Sequence, residues 1–431
     1  MPARHSTECG GVRGRGRKNL TAPLGLSLNT DSKKTPGPWY IVAIVTATQL
    51  VVAMSNILLP TIAPKLAETL GVSAVLIGYQ VSLTFGAATL ATVIAGNAVL
   101  RFGAVRTTQI AMLSCIVGSA LFAFPNLVAI AIGSLAIGLS MGLTNPAAAH
   151  ILVSHTPAAR RNLMFSIKQT GVPVGGVITA LTAPVIAVKF GFQWSLALVS
   201  LLAIGVLAAT APHRAVWDAD RGAKSKETGT SFGGVPLVVK TPNLRWISLA
   251  AAIFSAIQRC VLSFTVIYLV AEKQVSLIEA GVMLSVVQLG GSVARICWGW
   301  LADKLGSSIL VLAMIAAITT AALFLLAILD IPQYKSVAYV LFFVLGTTSL
   351  GWNGVFHAEA ARLSPLGLVS MTAAGTTFFV FGGVLIGPSL FVVVYGLIHS
   401  YAQSFMLVAL SSLLSMGLLA VARCATPREP S

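Results

Sequence analysis

Charge is what this chain has least of. Asp, Glu, Lys and Arg make up only 9% of its 431 residues, where a soluble domain carries about 25%. Acids are scarcest, 12 against 28 basic residues. So little charge cannot cover the surface of a water-soluble fold of this size. Long apolar runs, rather than ten-residue alternation, exclude a β-barrel. Cysteine is sparse as well. Cys9, Cys115, Cys260, Cys297 and Cys424 are scattered without a CxxC pair, which excludes a disulfide framework or a zinc site. No nucleophile with a base, no phosphate loop and no metal-ligand cluster appears. No catalytic residue, metal or cofactor is therefore expected, and an enzyme is not. The net charge of +16 invites a nucleic-acid reading, but the basic residues follow membrane sidedness rather than forming one basic face.

What is present is apolar: 56% of residues are hydrophobic and the mean hydropathy is +0.88. Twelve apolar segments fall near 39–62, 74–99, 107–125, 127–150, 164–188, 194–212, 245–270, 279–301, 307–329, 336–356, 369–394 and 401–423. Each is about the length a span needs. The pattern predicts an all-α membrane protein with twelve transmembrane helices in two six-helix bundles. A polar stretch, His213 to Thr241, separates the sixth span from the seventh. The expected division is a disordered cytoplasmic tail at 1–37, a bundle at 38–212, a cytoplasmic linker at 213–243, a second bundle at 244–424 and a short tail at 425–431. The first segment is Gly/Arg-rich without an apolar core, so it is not a secretory signal; an organelle transit peptide is its other reading.

With the N-terminus placed in the cytoplasm, 21 of the 28 Lys and Arg lie on that side and four (Lys65, Lys189, Lys273, Lys335) on the other. This asymmetry predicts a multi-pass protein with both termini cytoplasmic, in a bacterial inner membrane. The remaining three, Lys168, Arg259 and Arg295, fall inside spans, where the sequence places no acid; Glu279, Asp303 and Glu359 sit at span ends. A membrane cation costs about 2.5–3.5 kcal/mol on insertion scales.

One stretch concentrates these features. In Gly281 to Gly306, the residues Ser285, Gln288, Ser292, Arg295, Gly299 and Asp303 recur in steps of three and four and share one helix face. Its end also repeats an earlier segment. GNAVLRFGAVR (Gly96 to Arg106) and GWLADKLGSS (Gly299 to Ser308) are offset by 203 residues, and Asn145 and Asn353 by 208. Two related halves imply a site between them near the midplane.

Twelve spans, a basic central loop and these paired loops resemble the major facilitator superfamily over about 39–423. The resemblance implies a cytoplasmic loop motif at Gly96, Arg101 and Gly103 in one half and Gly299, Asp303, Lys304 and Gly306 in the other. The family's Asp caps a neighbouring helix and ties the bundles together. Leu100 stands where the first copy should have that Asp, which leaves the lock on that side in doubt. The run A-R-I-x-x-G-x-x-x-D-K, from Ala294 to Lys304, is similar to the eighth helix of monocarboxylate and oxalate/formate transporters, where the Arg meets a substrate carboxylate. S-I-K-Q-T-G-V-P (Ser166 to Pro173) and W-N-G-x-x-x-A-E (Trp352 to Glu359) resemble the cyanate/nitroimidazole porter-like branch.

Arg259 lies about 22 Å into the seventh span at 1.5 Å per residue, too deep to reach either surface. It is expected to contact substrate or gate its passage, or else to make a structural hydrogen bond. Arg295 contacts ligand or pairs with Asp303. Lys168 faces the passage from the fifth span or snorkels to the cytoplasm. Gln49, Asn56, Asn145, Gln258, Gln288, Trp352 and Asn353 complete a polar passage, although each alone also reads as helix–helix glue. Pro173 reads as a kink or flexible point. His150, His155 and His357 sit near cytoplasmic ends, where they are expected to be solvated or hydrogen-bonded. The expected function is secondary active transport of a small organic anion by alternating access, by symport or antiport, in a monomer whose partners are substrate and bilayer. The alternatives are a drug or metabolite efflux transporter and a transporter-like sensor.

Overall fold

The computed structural model describes residues 37–155, 161–219, 234–365 and 368–425. The expected N-terminal tail and much of the linker lie outside the described residues. Within them the chain is helical, and twelve helices are long and apolar enough to cross a membrane. The first half holds α1 (Pro38–Leu70), α2 (Ile77–Phe102), α3 (Ala104–Phe122), α4 (Leu127–His155), α5 (Arg161–Lys189) and α6 (Phe192–Thr210). The short α7 (Arg214–Trp217) and α8 (Gly234–Lys240) flank the undescribed part of the linker. The second half holds α9 (Pro242–Ala271), α10 (Leu277–Leu305), α11 (Ser308–Ile328), α12 (Lys335–Ser349), α13 (Trp352–Arg362), α14 (Val369–Ile398) and α15 (Tyr401–Ala425).

Two expectations need correction. The tenth span is not one helix: it breaks at Leu350 and Gly351 into α12 and α13. No Cβ fits at Gly351, where it would press on the Thr347 carbonyl, Trp298 and Ala294. The absence of buried acid also fails, because Glu359 and Asp218 are 2% and 4% exposed. Each is satisfied. Glu359 accepts from Arg362 Nη2 (2.6 Å) and Nε (3.0 Å). Asp218 caps α3, accepting from the backbone N–H of Val105 (2.7 Å) and Arg106 (3.3 Å).

The Asp218 cap bears on the loop motif. The first loop copy lacks its acid, and a carboxylate 113 residues farther along the chain stands at the helix start instead. Gly103, at φ 97°, passes so close to the Asp218 carboxyl that a Cβ there would collide with it. The intact Asp303 behaves differently from the resemblance: its side chain is exposed and has no hydrogen bond or ion pair among the described residues. It therefore ties no bundles together in this conformation, and Arg295 is not its ion-pair partner.

The halves meet along α1 with α9, α2 with α14 and α5 with α10. Small residues allow the closest approaches. At the end remote from the termini, a Cβ on Gly78 would fall against Val392, the Pro388 carbonyl and Phe264, and one on Gly281 against the Ala180 carbonyl and Pro184. Ser389 Oγ donates to Ser82 Oγ across the same seam (2.8 Å). At the end bearing the termini, Gly96 and Gly299 have open space instead. The bundles thus pack closely at the far end.

Two predictions follow from these contacts. Asp218→Ala should lower thermal stability in detergent by about 0.5–2 kcal/mol, the usual value of an N-terminal helix cap; an unchanged midpoint would show the cap to be idle. Gly281→Val should wedge the far end open, measured as faster labelling of a cysteine placed at Leu262 by a membrane-impermeant maleimide.

Candidate functional site

Between the halves lies a cavity of about 430 Å³. Gln49 and Asn56 of α1, Asn145 of α4, Gln258 and Arg259 of α9, Gln288 and Arg295 of α10 and Asn353 of α13 all line it. None of its lining residues among those described carries a carboxylate. Sequence reasoning found these polar positions because a membrane helix seldom carries Arg, Asn or Gln facing lipid. Folding brings them together because each sits on the helix face turned to the opposite half.

Arg259 is the centre of the site. It belongs to the second half but is held by the first. Its Nη2 donates to Asn56 Oδ1 (2.6 Å), and its guanidinium carbon lies 4.4 Å from the centroid of the Phe85 ring. Phe85 in turn meets Phe381 edge-on at 6.4 Å. The Arg259 side chain is 5% exposed and its Nε has no hydrogen-bond acceptor. Arg295 likewise has a buried Nε without an acceptor. Two guanidiniums with unmet donors therefore face one cavity. The Gln49 Oε1 is also unpartnered.

Two of the expected residues stand behind the wall. Lys168 is 3% exposed and donates Nζ to Asn145 Oδ1 (2.5 Å), so it bonds to a lining residue without lining the cavity itself. It does not snorkel out. Trp352 is fully buried, stacks on Phe254 at 5.5 Å, and donates Nε1 to Gln258 Oε1 (3.1 Å). Asn353 Nδ2 reaches the same oxygen (3.3 Å). Gln258 is thereby fixed with its acceptor occupied.

Of the loop-motif residues, Gly96, Arg101, Gly103, Gly299, Asp303, Lys304 and Gly306 are all outside the cavity. Lys304 Nζ lies 5.1 Å from the Trp300 ring and Arg101 stands 5.4 Å from Phe102. Phe85, Met141, Gln169 and His357 line the cavity and were not expected there. His357, expected to be solvated or hydrogen-bonded near a cytoplasmic end, is exposed and lines the cavity from α13. Phe85 carried one overlooked signal: the 203-residue offset between the loops relates it to Gln288. Pro173 also lines the cavity, inside an α5 that stays helical through it.

A desolvated cation–π contact is worth about 2 kcal/mol. Phe85→Leu, which keeps bulk and loses the ring face, should lower thermal stability by about 1–2 kcal/mol, while Phe85→Tyr should not. Equal stability of both variants would remove the ring's part in holding Arg259.

Comparison with known proteins agrees with this architecture. The family model described as Major Facilitator Superfamily matches residues 45–388. An uncharacterized MFS-type transporter of Mycobacterium tuberculosis (strain CDC 1551 / Oshkosh), and its counterpart in strain H37Rv, are each 28% identical over 197 residues, covering 45% of this chain and 42% of the relative. The chain thus matches less than half the length of these relatives. Among solved structures, a peptide transporter POT superposes with a TM-score of 0.72 at 17% identity, covering 89% of this chain and 94% of that one. A bacterial homolog of the human lysosomal transporter Spinster gives 0.72 at 13% identity, covering 92% and 100%. The nucleoside transporter NupG gives 0.73 at 12% identity, covering 89% and 99%. At these identities the likeness is one of fold. With the family model matched over most of the chain and twelve apolar helices in two bundles, this integral, multi-pass membrane protein belongs to the major facilitator superfamily.

Proposed function

We propose that the chain is a secondary transporter of a small organic anion. The observation that carries this reading is a cavity between the halves with two guanidiniums, each with a buried donor unmet, and no carboxylate in its lining. A bound anion would offset the cost of these charges. Arg259 Nε and Nη2 form one edge of the guanidinium fork, suited to a carboxylate bound bidentately. A carboxylate on that edge takes the place of Asn56 Oδ1 at Nη2 and supplies the acceptor that Nε lacks. Arg295 meets the anion from α10, while Gln288, Asn353 and Gln49 orient it. Lys168, held on Asn145, adds positive potential from behind.

Displacing Asn56 has a mechanical consequence. Asn56 and Arg259 lie in different halves, so the anion replaces a direct bond between bundles. That loosens the far seam and favours the alternate opening, the step that alternating access needs. The cavity lacks an acid for proton coupling, and Glu359, the buried acid of α13, is paired with Arg362 outside the lining. Exchange of anions fits the site better. Export of a lipophilic cation fits it less, since a cationic drug would meet two arginines and no carboxylate. The charge asymmetry supports a reading with both termini in the cytoplasm of a plasma membrane.

The test is uptake or counterflow in proteoliposomes with a panel of mono- and dicarboxylates, cyanate and lipophilic cations. Anions should be carried, and the Arg259→Ala, Arg295→Ala double variant should lose flux by at least about 100-fold, the combined worth of two charge-assisted bonds of about 1.5 kcal/mol each. Wild-type flux in the double variant, or transport of cations alone, would refute the assignment.

A further inference from the structure

A second cavity lies away from the seam between the halves. α9 forms its floor and α14 and α15 its walls, and it encloses about 480 Å³. The lining is almost wholly hydrocarbon. Ser404 and Ser411 are its hydroxyls, and each already donates to a carbonyl of its own helix, Ser400 (2.8 Å) and Val408 (2.7 Å). Ile386, Leu390 and Leu407 along its rim are 62%, 57% and 42% exposed. These residues lie inside membrane spans, so this exposure is toward lipid rather than water.

The fold alone does not require this groove. The corresponding trio in the first half, α1, α5 and α6, encloses only about 10 Å³. There Met54, Leu58, Ile186 and Leu198 help fill the space. In the second half Ala252, Ala256, Gly382 and Gly387 are among the lining residues. A Cβ on Gly382 would meet nothing within 4 Å. An unfilled groove would forfeit the dispersion contacts that close packing supplies, so at this depth an apolar chain occupies it.

Arg245 stands beyond the groove along α9. The groove's face on α9 runs through Leu249, Ala252, Ala256 and Cys260. Arg245 is one turn before Leu249 on the same face, in the first turn of α9. Helical side chains lean toward the N-terminus, which points Arg245 toward the headgroup layer. Its Nε is buried without a hydrogen-bond acceptor among the described residues. Its guanidinium rests 4.9 Å from the ring of Trp246, a residue type at home at the interface. Arg423 ends α15 at the same side, next to Ala422, which packs in one cluster with Leu244 and Ile247 of α9.

We propose that this groove and Arg245 form one binding site for an anionic phospholipid, an acyl chain lying between α14 and α15 and the phosphate on Arg245. The charge complementarity selects an anionic headgroup, and the apolar groove requires a chain. The site shares α9 with the anion cavity, which is lined by Gln258 and Arg259 while Ala256 and Cys260 line the groove. It does not depend on what the transporter carries.

The test uses the full-length protein, delipidated and returned to nanodiscs of phosphatidylcholine containing graded amounts of phosphatidylglycerol with the same chains. Retention of lipid is read by native mass spectrometry and stability by thermal unfolding. Phosphatidylglycerol should be retained about fivefold over phosphatidylcholine, the worth of one basic residue at a lipid surface. Arg245→Gln should abolish that preference. Gly382→Leu, which extends into open groove, should lose retention of both lipids, and inorganic phosphate alone should give no thermal shift. Equal retention of the two lipids by the wild type, an undiminished preference in Arg245→Gln, or a phosphate shift as large as the lipid's would overturn the proposal. The two-lipid comparison in wild type and Arg245→Gln decides even if Gly382→Leu does not fold.

Discussion

A guanidinium inside a bilayer must find its acceptors within the protein. Arg259 finds them in the other bundle. Asn56 takes one N–H and the Phe85 ring takes the positive charge, while Nε is left unmet. The same cation that faces the cavity therefore also joins the two halves. In the proposed function, substrate recognition and the seam share this one side chain, and an anion on its Nε–Nη2 edge would change how the bundles touch. The low dielectric strengthens this coupling, because an unpaired buried charge is costly and any acceptor that arrives is strongly held.

Around that contact, the seam is built from what is missing rather than what is added. Gly78 and Gly281 bring α2 against α14 and α5 against α10 at the far end, where hydrocarbon offers helices no hydrophobic drive and close backbone contact must serve instead. At the near end Gly96 and Gly299 have open space, and Asp303 is exposed without a hydrogen bond or ion pair among the described residues. Asp218 fills an analogous gap inside the first half, capping α3 where the loop itself offers Leu100. The linker is thus more than a tether, since its first residues complete the helix start of the bundle they leave.

Similar logic separates the two cavities. One carries the polar residues and lies between the halves; the other is apolar, lies within one half, and is lined in part by small residues on α9 and α14. α9 borders both. Ala256 and Cys260 line the apolar groove and Gln258 and Arg259 the polar cavity, Gln258 on the far side of the helix and Arg259 on the adjoining one.

The sequence by itself determined the class of the molecule. Charge scarcity and apolar runs of span length leave a helical bundle as the way to satisfy every backbone group in lipid, and the offset between the two loops declared the duplication. It also named most of the cavity, because polar side chains at mid-span are costly enough to be informative wherever they occur: Gln49, Asn56, Gln258, Gln288 and Arg295 all line it. Tertiary structure decided what such a rule cannot see. Phe85 looks like any lipid-facing phenylalanine until Arg259 arrives from the other half. Lys168 is charged, yet it stands behind Asn145, because which side of a wall a residue takes depends on helix rotation rather than on its type. Gly351, at the break before α13, has no room for a Cβ against Trp298 and Ala294 of α10, contacts between segments that are distant in the chain. Residue chemistry fixes what must be buried or paired; only packing fixes the partner.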